Sequence, residues 1–234
     1  LVVTGQRILD AEFPAQLQAS SVLRAIGSGE RSFAKLSARS GAKGTTLSRS
    51  LDLLRQKRVV AVDQPTSLRT ANEPRYRVAD PYLRYWLRFV EPAVGDIARG
   101  RPDVALARVR ESWTAFRGRA IEPLVREALA RLAAGDPRLG GAGHVGGWWP
   151  RHKDPEVELV GVDREKGPRK VCFVGSVKWR EGAPFDADDL AKLESDRSAV
   201  PGGAGAPLVA VSRAGCTAHG VTWYGPSHLL AAWA

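Results

Sequence analysis

The fold of this chain is decided by two short segments, PEVELV at residues 155–160 and VGSVKW at residues 174–179. In each of them apolar residues alternate with polar or small ones, which is the pattern of a β-strand. The stretch between them is short and polar, so the sequence predicts two neighbouring strands of a hairpin. Because residues two apart point to the same face of a strand, Glu156, Glu158 and Lys178 are expected to reach one region.

Carboxylates and an amine at such a position are the groups that metal-dependent nucleases use. Carboxylate oxygens hold Mg²⁺, and a lysine two residues beyond a second acid assists the attacking water or the scissile phosphate. Here Ser176 stands where that second acid is expected, two residues before Lys178. A neutral hydroxyl is a weak ligand, so the segments predict a nuclease-like core whose central acid is missing.

Charge is distributed unevenly along the 234 residues. Residues 1–90 contain 15 Lys and Arg against 7 Asp and Glu, whereas residues 151–234 contain 11 of each kind. The length suits one large core or two modest ones, and the change in composition favours two domains, placed at 1–95 and 96–234. A basic N-terminal domain is typical of proteins that contact phosphates, which makes DNA the predicted partner.

Cysteine usage and hydropathy bear on the location of the chain. Cys172 and Cys216 lie on or near predicted strands without a CxxC pair, so both are predicted to be free thiols in a reducing cytoplasm. No apolar run approaches the roughly 20 residues of a membrane-spanning helix, so no membrane partner is expected. The chain has no methionine, from which we expect it either to begin inside a larger product or to have been processed.

The N-terminal domain shows helical periodicity followed by two strand patterns. Leu47, Leu51 and Leu54 recur on one face of a helix, and Gly27 and Gly41 end the two helices before it. Three helices followed by two strands predict a winged helix-turn-helix. The helices are placed at residues 12–26, 32–38 and 45–57, and the strands at residues 58–62 and 75–78, with a polar loop at residues 63–74.

In a winged helix the third helix faces a DNA groove, and the wing faces the backbone or the minor groove. Hydroxyl and basic side chains of suitable size occur in both places. The same residues also suit any solvated helix face, and some winged helices serve as packing modules, so both roles stay open. The candidates are Lys43, Thr45, Thr46, Ser48, Arg49 and Arg55 on the helix, and Arg69 and Arg75 in the wing.

An aromatic-rich segment follows the second strand. Asp80 and Pro81 supply the cap and the first residue of a helix. Leu83, Trp86 and Leu87 recur at helical spacing, so this face is predicted to form a core that joins the first domain to the second. Aromatic rings beside arginines also stack on bases, which is the alternative role of the segment.

The C-terminal domain combines helical patterns with several strands. Two helices are predicted at residues 104–116 and 120–133, after a break at residues 95–102, and a glycine-rich loop follows them. The order of the remaining elements predicts a mixed α/β sheet with helices on its faces, in a chain of the α+β or α/β class. Strands are placed near residues 145–149, 157–162, 170–178, 208–211 and 221–224, with helices at residues 187–198 and at the C-terminus.

This order of elements resembles the PD-(D/E)xK, or restriction-endonuclease-like, fold. Five segments taken together are similar to the C-terminal half of an archaeal and bacterial family of AAA-type (DEXX-box) ATPases. The resemblance implies a winged helix and a nuclease-like domain, preceded by an ATPase domain of the same polypeptide that alone would bind ATP. The segments are residues 76–90, 118–124, 146–149, 156–160 and 175–179.

The resemblance also assigns roles to residues of the nuclease-like domain. Glu122 matches the acid of the helix before the sheet, Glu158 the first motif acid, and Lys178 the motif lysine. Ser176 replaces the second motif acid, so Mg²⁺ binding would depend on Glu158, with Glu156 as a further candidate ligand, and cleavage is not expected. In a purely structural alternative, Glu122 is a helix-surface acid and Glu158 pairs with Lys178 across the hairpin.

Other chemistries find little support in the sequence. The histidines lack metal-ligand spacing, and Walker A and GxSxG motifs are absent, so no nucleotide site is expected in this chain. The glycine run at residues 202–205 precedes a strand and is typical of a flexible loop. The histidines are His144, His152, His219 and His228.

Three functions follow from these patterns. The first is the C-terminal region of an ATPase, in which the winged helix and a nuclease-like domain that does not cut contact DNA or a partner protein. The second keeps Glu122, Glu158 and Lys178 as a weak Mg²⁺-dependent DNA nuclease. The third is a transcription-factor-like binder, in which the winged helix recognises DNA and the second domain mediates assembly.

Overall fold

The computed structural model describes residues 18–69, 73–151 and 154–234. The predicted start of the first helix, at residues 12–17, and His152 lie outside these residues. Within the part of the chain that is described, no helix is long and apolar enough to cross a membrane.

The chain separates into two compact units. The first unit combines residues 18–63 with Pro74–Trp113, and the second combines Gln64–Glu73 with Thr114–Ala234. The loop predicted to form the wing of the first unit is therefore part of the second.

The first unit begins with three helices and a two-stranded sheet, at the places that the sequence predicts. The elements are α1 (Ala19–Gly27), α2 (Phe33–Ser40), α3 (Gly44–Gln56), β1 (Val60–Asp63) and β2 (Arg75–Val78). The two strands pair antiparallel, with Val60 opposite Val78 and Asp63 opposite Arg75. The periodicity of the leucines thus predicted α3 correctly.

The apolar faces of these helices converge on one core. Leu47, Leu51 and Leu54 of α3 are all buried, as the helical spacing predicts. Gly27, the last residue of α1, lies against Leu87, and a Cβ atom placed on it would stand 2.4 Å from the Leu87 Cβ atom. Glycine is therefore needed at this position for close packing, whereas the residue that caps the helix is Ser28.

The aromatic segment forms a helix whose inner face is part of the core. Helix α4 (Pro81–Tyr85) begins where predicted, because Asp80 Oδ1 accepts a hydrogen bond of 2.6 Å from the Leu83 main-chain N–H. The chain continues from Trp86 as a π-helical turn. Trp86 and Leu87 are buried in the core of the first unit, which confirms their predicted core role.

A single long helix stands where the sequence predicts two. After the short α5 (Val94–Ala98), α6 (Pro102–Leu132) runs without interruption through the predicted break around Gly118. Glycine in a helix interior costs only about 1 kcal/mol relative to alanine. Buried contacts of Val125 and Leu129 with the core of the second unit offset that cost, so the helix continues.

A five-stranded mixed sheet forms the second unit. Its strands are β3 (His144–Trp148), β4 (Val157–Val162), β5 (Val171–Lys178), β6 (Leu208–Ser212) and β7 (Thr222–Tyr224). They lie side by side in chain order: β3, β4 and β5 pair antiparallel, whereas β5, β6 and β7 pair parallel. The predicted hairpin is the β4–β5 pair, in which Leu159 lies opposite Gly175.

The residues of β4 alternate between cores on the two faces of the sheet. Leu159 packs with Leu129 of α6, whereas its neighbour Val160 packs with Leu193 of α7 (Ala187–Ala199). Because side chains alternate along a strand, the even-numbered residues of β4 point toward α7. Glu156 and Glu158 therefore share the α7 side of the sheet, whereas Glu122 belongs to α6.

The remaining elements also agree with the sequence. The predicted C-terminal helix is α8 (Pro226–Leu230). Cys172 and Cys216 are both free thiols, as predicted, and burial raises the pKa of the Cys172 thiol.

The described part of the loop between β1 and β2 packs on β3. The Thr66 N–H donates a hydrogen bond of 2.8 Å to the Gly147 carbonyl, and the Trp149 indole N–H donates one of 2.8 Å to the Glu73 carbonyl. At Gly146 a Cβ atom would stand 2.0 Å from the Thr66 hydroxyl oxygen. The hydrogen bonds of Gly147 and Trp149 therefore hold the loop against the sheet, and Gly146 leaves room for Thr66.

Candidate functional site

The first candidate site is the solvent-facing side of α3. Leucines fill the opposite side, so the polar residues that the sequence singled out are exposed. Among them lies one acid, Asp52, whose Oδ1 atom is 3.9 Å from Arg55 Nη1. With three basic residues and one acid, this face has a net positive charge. The exposed candidates are Lys43, Thr45, Thr46, Ser48, Arg49 and Arg55.

The two predicted wing residues occupy different environments. Arg75 is only 6% exposed, so its side chain does not reach solvent as a DNA contact requires, and the prediction for this residue is wrong. Chain segments enclose it on both sides, since it pairs with Asp63 in the sheet and with Ser32 through an isolated bridge. Arg69 is exposed, but it belongs to the second unit.

The second candidate site is a cleft lined by β4, β5 and α7. It brings together Glu156, Glu158, Lys178 and Ser176, all of which were predicted from the hairpin. It also takes in residues of α7 that the sequence reasoning missed. Their spacing of three and four along a helix, which gathers side chains on one face, is the signal that would have found them. The missed residues are Asp189, Lys192, Leu193 and Asp196.

The Glu158 carboxyl group lies in a poorly solvated position in this cleft. Burial raises the pKa of Glu158, and the neighbouring Glu122 carboxylate raises it further. Lys178 and a hydrogen bond with the Ser176 hydroxyl oppose the shift without cancelling it. A cation close to Glu158 would favour the charged form of the carboxyl group and reverse this preference.

Lys178 forms its ion pair with α7. The Lys178 Nζ atom is 3.5 Å from Asp189 Oδ1, and Arg180 pairs with the other oxygen of the same carboxylate. The Lys178 and Asp189 side chains are 23% and 13% exposed, so water screens the pair only in part. The positive charge of Lys178 also lowers the pKa of Glu158, but the predicted cross-hairpin ion pair is replaced by the pair with Asp189.

The acid predicted on the helix before the sheet is paired with an arginine. Glu122 is buried, so it is not the helix-surface acid of the structural alternative. Arg126 Nη2 donates a hydrogen bond of 3.2 Å to Glu122 Oε2, and Arg126 Nε donates one of 3.0 Å to the main-chain oxygen of Glu158. The sequence reasoning missed Arg126, although a spacing of four residues on a helix predicts such a pair.

The cleft offers few free oxygen ligands for a metal ion. Within the described part of the chain, no group of three or more His, Cys, Asp and Glu is placed to hold an ion. Mg²⁺ takes oxygen ligands and usually needs one or two free carboxylates. Glu158 offers a carboxylate and Ser176 only a neutral hydroxyl, while Asp189, Asp196 and Glu122 are paired with Lys178, Lys192 and Arg126. This set is weaker than the group of free acids that a metal-dependent nuclease uses.

The described histidines do not add ligands to the cleft. His228 Nδ1 accepts a hydrogen bond of 3.0 Å from the Gly225 N–H. His144 Nε2 lies 3.4 Å from the Thr66 hydroxyl, and burial lowers the pKa of His144. His219 is exposed. None of these three residues lines the cleft.

Comparison with known proteins gives one match. A model of the DUF234 family, described as archaeal and bacterial proteins of unknown function, matches residues 86–193. This stretch, which is less than half of the chain, contains α6, β3, β4, β5 and the first half of α7. No curated protein and no solved structure matches the chain. The chain is thus similar to an archaeal and bacterial family over the elements that build the cleft.

Proposed function

We propose that this chain binds DNA through α3 and that its second unit is a nuclease-like domain that does not cut. In this proposal the first unit is a winged helix-turn-helix, and the second has the PD-(D/E)xK arrangement. The observation that carries DNA binding is the exposed face of α3, where three basic and three hydroxyl side chains lie opposite a buried leucine face. None of these polar side chains is needed to fill the core.

The chemistry of the exposed side chains suits a DNA groove. Lysine and arginine neutralise phosphates, and arginine also donates to guanine edges in the major groove. Threonine and serine hydroxyls donate to phosphates and to base edges. Since Arg75 is buried and Arg69 belongs to the second unit, the proposed DNA surface of the first unit is narrower than the sequence suggested and rests on α3.

The order of strands and acids supports a nuclease-like second unit. An antiparallel hairpin is followed by parallel strands, with Glu158 and Lys178 on the hairpin and Glu122 on the preceding helix. Three features speak against cleavage. Ser176 replaces an acid, Lys178 is held by Asp189, and the Glu122 carboxylate is engaged by an arginine.

The resemblance to AAA-type ATPases extends the proposal beyond this chain. The partner is then an ATPase domain of the same polypeptide, which binds ATP, and the location is the cytoplasm. In that setting the two units connect the ATPase to DNA.

A weak Mg²⁺-dependent nuclease is the second candidate, and one observation favours it. Glu122 is close enough to Glu158 to raise the pKa of its carboxyl group, so a divalent cation between them would relieve an unfavourable arrangement. In that case Glu158 and Glu122 would hold Mg²⁺, which would activate a water, and Lys178 would contact the phosphate.

Plasmid cleavage separates the two candidates. We expect the chain to leave a supercoiled plasmid intact in Mg²⁺ or Mn²⁺, because Ser176 replaces an acid and the Glu122 carboxylate is engaged by Arg126. Metal-dependent nicking that both Lys178→Ala and Glu158→Ala abolish would establish the nuclease and refute the non-cutting proposal. DNA binding is tested separately with variants of α3, as developed in the Discussion.

A further inference from the structure

A guanidinium group is held between α6 and β4, next to the acids of the cleft. Arg126 donates to the Glu122 carboxylate at 3.2 Å and to the Glu158 main-chain oxygen at 3.0 Å. The side chains of Arg126 and Glu122 are each 11% exposed. A buried carboxylate needs a partner cation, since an unpaired charge loses its hydration without compensation. Arg126 provides a cationic partner for Glu122.

The sheet leaves room for this guanidinium. A Cβ atom on Gly147 of β3 would stand 2.7 Å from Arg126 Nη2 and 3.3 Å from Arg126 Cζ. Real Cβ atoms essentially never approach heavy atoms to less than 3.0 Å, so a side chain at this position would displace the guanidinium. The absence of a side chain at Gly147 therefore lets the flexible end of Arg126 stay in its place beside Glu122.

Both oxygens that Arg126 engages are of the kind that a hard cation uses. Divalent cations such as Mg²⁺ and Mn²⁺ are bound by carboxylate and main-chain carbonyl oxygens. Here these are Glu122 Oε2 and the Glu158 carbonyl oxygen, and Arg126 reaches both. Because Arg126 already contacts both oxygens, a divalent cation would have to compete with its guanidinium for them.

We propose that the Arg126 guanidinium takes the place of a divalent cation between Glu122 and β4, so that the chain carries its own counter-cation at the nuclease-like site. This inference rests on the proposed nuclease-like character of the second unit. Removing the guanidinium would leave Glu122 next to the Glu158 carboxyl group, which already resists ionisation because of Glu122 and burial. Two neighbouring carboxylates and a carbonyl oxygen would then attract a divalent cation.

The test compares thermal unfolding of the full chain and its variants in increasing Mn²⁺. Arg126→Ala is expected to gain on the order of 5–10 °C at a Mn²⁺ concentration about 100 times the dissociation constant. The unaltered chain and Arg126→Lys, which keeps a cation next to Glu122, are expected not to respond. Combining Arg126→Ala with Glu122→Gln is expected to abolish the gain, which assigns the ion to this carboxylate.

A second variant tests the inference in case Arg126→Ala does not fold. Arg126→Gln keeps most of the bulk of the side chain and removes its charge, and we expect Mn²⁺ to stabilise it as well. The inference is overturned if Mn²⁺ stabilises neither Arg126→Ala nor Arg126→Gln, or if it stabilises the unaltered chain equally. Plasmid nicking by the unaltered chain would instead defeat the non-cutting proposal, so the two failures are distinguishable.

Discussion

Replacing Arg49 and Arg55 with alanine is expected to remove two of the three positive charges that α3 offers to DNA phosphates. The third is Lys43, and all three side chains are exposed. Each phosphate contact contributes about 0.9 to the slope of log affinity against log salt for duplex DNA. The double variant should therefore show a slope smaller by about 1.8.

This difference in slope corresponds to a large difference in measured binding. Between about 50 and about 200 mM KCl, a slope difference of 1.8 makes the unaltered chain lose about 12-fold more affinity than the variant. The exposed ion pair of Arg55 with Asp52, at 3.9 Å, hardly opposes DNA binding, because such pairs contribute only about 0–1 kcal/mol. Fluorescence anisotropy of a short labelled duplex at several salt concentrations measures both quantities.

A matched control removes the same charge from another surface. Arg108 and Arg110 are exposed residues of α6 in the first unit, and changing both to alanine lowers the net charge equally. We expect this control to keep the slope of the unaltered chain. If both double variants reduce affinity and slope alike, net charge explains binding, and the reasoning that places DNA on α3 is refuted.

Two further predictions concern the second unit. Tyr224→Phe should lower the free energy of unfolding by about 1.5 kcal/mol in urea titrations, because the Tyr224 hydroxyl donates a 2.7 Å hydrogen bond to Asp136, which still keeps its bonds to Arg138. Glu158→Gln should stabilise the chain at neutral pH, since burial and Glu122 raise the pKa of Glu158, and a carboxyl with a raised folded-state pKa destabilises the fold increasingly as pH rises. Unfolding measured from acid to neutral pH should show this gain disappearing below the ordinary glutamate pKa of about 4.3.

Each of these two predictions has a control in the same chain. Tyr82 is 45% exposed, and Tyr82→Phe should leave the unfolding midpoint unchanged. Glu111 is an exposed acid of α6, and Glu111→Gln should leave the free energy of unfolding nearly unchanged. Equal effects of Tyr82→Phe and Tyr224→Phe would contradict the role of the buried hydrogen bond. A gain for Glu158→Gln that does not change with pH would contradict the titration argument.

Local patterns were sufficient to predict most of the elements. The leucines of α3 and the aromatic face that follows β2 repeat with the period of a helix, and burial follows that period. The alternation in β4 and β5 predicted a hairpin with its acids on one side, because the side of a strand is set by residue parity. Two helices departed from prediction. Helix α6 is continuous because its packing outweighs the weak helix preference of Gly118, and α5 overlaps the break predicted at residues 95–102.

The partners of the charged residues were harder to predict. Asp189 lies 11 residues beyond Lys178 in the chain, and the pair forms because α7 returns over the sheet. Arg126 was within reach of sequence reasoning through its spacing from Glu122, but its second bond, to the Glu158 carbonyl, depends on how α6 lies beside β4. The burial of Arg75 likewise depends on the segments that flank β2.

Sequence periodicity was sufficient to predict α1 to α4, the β4–β5 hairpin and the exposed polar face of α3, because each depends on a period that a short stretch of chain carries. Only the folded chain shows that Arg75 is buried, that the loop after β1 belongs to the second unit, and that Lys178 and Glu122 are paired with Asp189 and Arg126. Which charged side chains pair depends on their distance and burial in the folded chain. The order of residues in the sequence does not contain those distances.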